Sequence, residues 1–133
     1  MQINELAVLA AAVSALVLAG VWYGLLFKHV WSHDAGVDAG VDANRAPKHP
    51  ARVFAAAFVA SLIAAATFAW FIGPAPGLRY AVEDGLLTGL AIVAMSFGIR
   101  QAFTQRSLKL WLIDGGYHTL QFTLYGLVIG LWQ

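Results

Sequence analysis

The sequence predicts an all-α fold, an integral membrane bundle of four transmembrane helices, and three observations carry that expectation. The 133 residues are 60% hydrophobic and only 11% charged, whereas a soluble domain normally has about a quarter of its residues charged and needs them as a polar coat. Four apolar stretches approach the roughly 20 residues that a helix needs to cross a hydrocarbon core. The breakers and most of the basic residues fall between those stretches. The length bounds a single transmembrane domain, 1–133.

The first stretch, Leu6 to Phe27, holds no charged residue. The segment before it has no Lys or Arg, and the stretch ends in bulky residues including Trp22 and Tyr23, so it reads as a retained helix and not as a signal peptide. The second, Val53 to Ile72, is alanine-rich. The third, Ala81 to Ile99, carries Glu83 and Asp84 in its first turn, where acidic groups suit the helix dipole. The fourth, Leu108 to Trp132, contains Asp114 and His118.

Gly73-Pro74-Ala75-Pro76-Gly77 is a tight breaker that makes a hairpin of helices two and three. Arg100 to Ser107 is a short polar link. The long connection, 28–52, repeats Asp-Ala-Gly-Val between Asp34 and Ala43 and reads as a loop. Gly20 and Gly24, one turn apart, are candidates for close approach of helix one to a neighbour.

Lys28, Arg45, Lys48, Arg52, Arg100, Arg106 and Lys109 all fall on one side of this topology, and only Arg79 on the other. Basic residues concentrate on the cytoplasmic side. Both termini are therefore expected to be non-cytoplasmic, and the 28–52 loop cytoplasmic.

Helix four carries the main candidate. Asp114, His118, Gln121 and Tyr125 recur at the spacing of one helical face, with Tyr117 beside it. Polar groups are costly against lipid, so this face should turn inward. Asp114 lies about 7–8 Å along the axis from Lys109 at 1.5 Å per residue. Trp22 and Tyr23, a similar count before Lys28, should share its depth. Arg100 leaves helix three on the same side, within expected reach of Asp114. The sequence thus predicts one intramembrane polar cluster: Trp22, Tyr23, Arg100, Asp114, Tyr117, His118, Gln121 and Tyr125. It reads either as a proton or solute relay, because Asp and His are both tunable titrating groups, or as interhelical hydrogen bonds that only fix packing.

Other features point to less. His29, His33 and His49 have spacing too soft for a metal site, and Asp34, Asp38 and Asp42 are sparser than a calcium loop. The absence of cysteine removes disulfides, thiolate sites and cysteine nucleophiles. A net charge of +1 and the lack of a basic stripe argue against nucleic acid. No catalytic motif is present, so no enzyme activity, metal or cofactor is expected.

Two stretches carry a resemblance. Gly20-Val21-Trp22-Tyr23-Gly24-Leu25-Leu26-Phe27-Lys28, running on to Trp31, and Leu112-Ile113-Asp114-Gly115-Gly116-Tyr117-His118 within the segment from Ser107 resemble the domain of unknown function 1761 family of small four-helix membrane proteins. The likeness covers most of the chain in the same order. It implies the fold and singles out Trp22, Tyr23, Asp114, Tyr117 and His118, but implies no reaction.

Two functional classes follow. One is a transporter- or channel-like protein using the Asp114–His118 stripe. The other is a non-catalytic accessory subunit packed beside a larger membrane complex. The bilayer is the expected partner in both, with a homo-oligomer in the first.

Overall fold

The computed structural model describes residues 3–26, 50–105 and 107–132. These form four helices and, among the described residues, no strand: α1 Glu5–Leu26, α2 Pro50–Ile72, α3 Leu78–Thr104 and α4 Leu108–Leu131. His29, His33, Asp34, Asp38, Asp42, His49, Lys28 and Trp31 lie outside the described residues. The last three residues assigned to the 28–52 loop are helical and open α2.

Local chemistry explains the ends. Asn4 caps α1 by accepting from the Ala7 N–H at 3.1 Å, and its amide donates to the Trp132 carbonyl at 3.0 Å, joining the two ends of the chain. Pro50 opens α2, where a missing N–H costs no helical bond. Gly73 and Gly77 have φ of 81° and 83°, so the hairpin between α2 and α3 turns at two positions where a side chain would be strained. α3 ends at Gln105 in the left-handed region, and Ser107 caps α4 by accepting from the Leu110 N–H at 3.1 Å.

α3 is longer at both ends than the expected 81–99. The apolar run misses its polar outer turns, where Arg79 pairs with Glu83 at 2.8 Å one turn apart and the helix continues past Arg100 to Thr104. What reads as a polar link is therefore mostly helix.

α4 is the central helix and packs on each of the other three. Its closest partner is α3, antiparallel to it, and the reason is glycine. A Cβ on Gly85 would lie 2.2 Å from the Phe122 carbonyl oxygen, one on Gly89 would lie 2.6 Å from the Thr119 Cα, and one on Gly126 would lie 2.1 Å from the Ala81 oxygen. The two backbones touch along most of their length, which only glycine permits. The expectation for Gly20 and Gly24 is corrected: both are exposed, and nothing lies within 4 Å of a Cβ built on either. Close approach belongs to the α3–α4 pair instead. α1 meets α2 through alanines, with Ala7, Ala11, Ala12, Ala15 and Ala65 fully buried.

Two segments depart from α geometry. Trp22–Leu26 at the end of α1 and Thr88–Ala94 in the middle of α3 are π-helical. Such insertions re-aim side chains and often mark functional positions.

α1, α2 and α3 are long and apolar enough to cross a membrane. Their outer faces stay apolar, with Val17, Ile63, Phe71, Ile92 and Phe103 exposed. α4 has 24 residues, long enough to span, but Asp114, His118 and Gln121 lower its apolar content. Enclosure by the other three helices accounts for that tolerance, because a surrounded helix need not be apolar all round.

Gly126→Val should overpack the α3–α4 seam and destabilise the fold by about 1–3 kcal/mol, while Gly24→Ala should leave stability within about 0.5 kcal/mol. Denaturant titration of helicity in detergent micelles measures both; equal stability of the two variants would contradict the seam.

Candidate functional site

The polar face of α4 is turned inward, and its groups divide into two sets along the helix. At the end nearer Lys109, α1 reaches across. The Trp22 indole N–H donates to the Ile113 carbonyl at 2.9 Å, and the next residue, Tyr23, donates its hydroxyl to Asp114 Oδ1 at 2.6 Å. Consecutive side chains of a regular helix diverge by about 100°, so two neighbours both engaging α4 fit the π-helical turn in which they sit. The Trp22 ring lies against Gly116, where a Cβ would come within 3.1 Å of it. Tyr23 and Tyr117 pack ring to ring at 5.3 Å, and Tyr117 donates its hydroxyl to the Ala15 carbonyl at 3.0 Å. α1 is thereby fixed to α4 by three polar bonds within one stretch.

The second set runs from His118 towards the far end. His118 Nδ1 and Gln121 Oε1 are hydrogen-bonded, Gln121 Nε2 donates to the Tyr125 hydroxyl at 2.7 Å, and that hydroxyl meets Ser61 Oγ of α2 at 2.7 Å. Ser61 Oγ donates to the Ala12 carbonyl of α1 at 3.1 Å, and the Tyr125 hydroxyl also lies 3.2 Å from the Ser61 carbonyl. Tyr125 is fully buried, and Ser61 and Gln121 nearly so. This chain crosses from α4 through α2 to α1. Each buried polar atom in it has a partner, the condition under which a polar network adds stability and specificity in a dry interior.

His118 lies at the junction of the two sets. Its ring stacks on Phe97 of α3 at 4.9 Å and meets Tyr117 edge-on at 4.9 Å. No hydrogen bond joins it to Asp114, although the two are one turn apart. His118 lines a cleft of about 470 Å³ to which all four helices contribute, with Tyr117, Gln121 and Ser61 as the other polar residues and alanine or larger apolar side chains elsewhere. Among the described residues its Nε2 has no hydrogen-bond partner, yet the only sealed-in, unpartnered side-chain atom there is Gln101 Oε1. Nε2 is therefore open to the surroundings of the ring.

Arg100 is not brought to Asp114. It is exposed on α3, lines a shallow groove with Ser96 and Phe97, and makes no ion pair with any described residue, because the inward position of that turn is taken by Gln101. Seven of the eight sequence-selected residues thus lie along the inner face of α4 or against it. Three contributors escape sequence reasoning. Ser61 is a hydroxyl within the alanine-rich α2, a signal that could have marked it. Phe97 and Trp111, whose indole donates to the Ala94 carbonyl at 2.9 Å, look like ordinary membrane aromatics. Among the described residues, no group of three or more His, Asp or Glu is placed to hold a metal ion.

Residues 6–130 match the family model described as Protein of unknown function (DUF1761). The chain belongs to the DUF1761 family. The match spans all four helices and covers every residue of both polar sets. No curated protein and no solved structure matches it significantly.

Tyr125→Phe removes the hydroxyl on which Gln121 and Ser61 converge. It should destabilise the protein by about 1–2 kcal/mol, the upper range for interhelical hydrogen bonds in membranes. Tyr80→Phe, exposed at the start of α3, should change little. Unfolding in mixed micelles measures the difference, and equal stability of the two would contradict the network.

Proposed function

We propose that this DUF1761 protein is a small multi-pass transporter of the carrier type, without enzymatic activity, in which the cleft lined by all four helices admits a solute to His118. The observation that carries the reading is the contrast along α4. Asp114, Tyr117 and Tyr125 are held in bonds to neighbouring helices and Gln121 is held between His118 and Tyr125, whereas His118, which lines the cavity, keeps one ring nitrogen without a partner among the described residues. Ligand sites are typically apolar clefts with a few convergent polar groups. Asp114, one turn towards the basic end, supplies a carboxylate near the face expected to be cytoplasmic, and titrating residues at membrane depth commonly lie on solute or proton pathways. The bilayer is the surrounding partner, and self-association into a homo-oligomer is part of this reading.

A second reading has its own support. The chain from His118 to Ser61 passes through a carboxamide and ends on the Ala12 backbone carbonyl. Such a chain holds helices together without conducting protons, as expected of an accessory subunit whose apolar outer faces, such as that of Phe71 and Phe103, rest against a larger membrane complex.

Untargeted mass spectrometry of small molecules inside and outside cells tests the carrier reading. Loss of the protein should change the distribution of at least one solute. Wild type should restore it, and His118→Ala, present in the membrane at equal level, should not. Unchanged pools in every strain, with a stoichiometric larger chain recovered on gentle solubilisation, would favour the accessory reading.

Both termini and the α2–α3 hairpin are proposed to be non-cytoplasmic. The natural sequence has no cysteine, so single cysteines report cleanly. A membrane-impermeant maleimide applied to intact cells should label Ala75→Cys and spare Gln105→Cys; the reverse pattern would invert the topology.

A further inference from the structure

The hydrogen-bond chain behind His118 fixes which of its ring nitrogens carries the hydrogen. The Ala12 and Ser61 carbonyl oxygens can only accept. Between them stand two hydroxyls, Ser61 Oγ and Tyr125 OH, with one hydrogen each. The Ser61 hydrogen serves the bond to Ala12 at 3.1 Å, and the Tyr125 hydrogen is shared between Ser61 Oγ at 2.7 Å and the Ser61 carbonyl at 3.2 Å. None remains for Gln121. The 2.7 Å bond between Gln121 and Tyr125 must then be donated by the carboxamide nitrogen. That orientation turns Gln121 Oε1, an acceptor, towards His118. The hydrogen in that bond can come only from Nδ1. In a neutral imidazole one nitrogen donates and the other accepts, so Nε2 is left with its lone pair.

We propose that His118 is held with its hydrogen on Nδ1, and that the cleft takes an amphipathic molecule with an apolar body and a hydroxyl head, an alcohol or phenol, which donates to Nε2. The class follows from the lining. The body would lie against the alanine and aliphatic side chains that α1, α2 and α3 contribute. The head meets an open acceptor, while the hydroxyl hydrogens of Tyr117 and Ser61 are already directed at backbone carbonyls. The Phe97 ring stacked on the imidazole holds its plane in place for that bond. Such a molecule partitions into lipid and would reach the cleft from there. The proposal names the ligand class for the carrier reading and rests on it only for the idea that the cleft is a binding site.

The test uses full-length protein in nanodiscs, labelled with ¹⁵N-histidine, with the His118 signals identified by their loss in His118→Asn. Nitrogen resonances of N–H and lone-pair nitrogens are well separated. The wild-type spectrum alone should show His118 protonated at Nδ1; protonation at Nε2 in the neutral ring would overturn the proposal without any variant. The probes are 4-octylphenol and its methyl ether 4-octylanisole, compared at equal mole fraction in the bilayer. The phenol should shift the Nε2 signal and bind about tenfold more tightly than the ether, the scale of one hydrogen bond in a dry site. Gln121→Leu, which frees Nδ1, should erase that preference. Equal binding of phenol and ether to wild type would also overturn the proposal. A preference for the phenol alongside unchanged cellular solute pools would leave the site in place and remove the transport reading.

Discussion

The structure depends on one constraint: α4 carries Asp114, His118, Gln121 and Tyr125 on one face, among three helices apolar enough to cross a membrane, and none of them can be left unbonded against an apolar surface. Each unsatisfied polar group in lipid costs several kcal/mol. The remaining helices are arranged to meet that demand. α3 closes one side by backbone contact at Gly85, Gly89 and Gly126. α1 brings Trp22, Tyr23 and the carbonyls of Ala12 and Ala15, and α2 brings Ser61. The fold is a wrapper for one amphipathic helix. Several hydroxyls elsewhere on the helices obey the same rule locally: Ser14, Ser96, Thr119 and Thr123 each return a bond to the carbonyl four residues back.

This constraint explains what the sequence made legible. The inward face of α4 was readable because the 3.6-residue repeat places 114, 118, 121 and 125 together whatever packs against them. The depth argument brought Trp22 and Tyr23 to Asp114 and Tyr117 because two antiparallel helices rise at the same rate from a shared basic boundary. Arg100 failed the same test. Depth does not determine azimuth, and the α3 residue that faces inward there is Gln101, not its charged neighbour.

The glycines show a different limit. Gly20 and Gly24 have the spacing of a close-packing motif yet face open space, while Gly85 and Gly89 on α3, with the same spacing, carry the tightest seam. Spacing states that an approach is allowed; only the identity of the opposing helix decides whether it is made. Ser61 illustrates the matching case for polar groups. A lone serine in an alanine-rich helix is marked as a polar position by its surroundings but has no periodic partner in its own sequence, and which groups it bonds is decided only by Tyr125 and Ala12 on the neighbouring helices. The π-helical turn at Trp22–Leu26 was invisible for the same reason, since it is imposed by what α1 must reach.

The most direct test of α4 as an enclosed helix is the oxygen accessibility of spin labels placed singly along it in the natural cysteine-free background, with the protein in bilayers. Labels at Leu112, Leu120 and Leu127, which are 63%, 41% and 38% exposed, should relax strongly with lipid-dissolved oxygen, while labels at Ile113 and Ile129, 6% and 7% exposed, should be shielded. A helical periodicity with that phase supports the account. Uniform accessibility, or a maximum on the face of Gln121 and Tyr125, would contradict it.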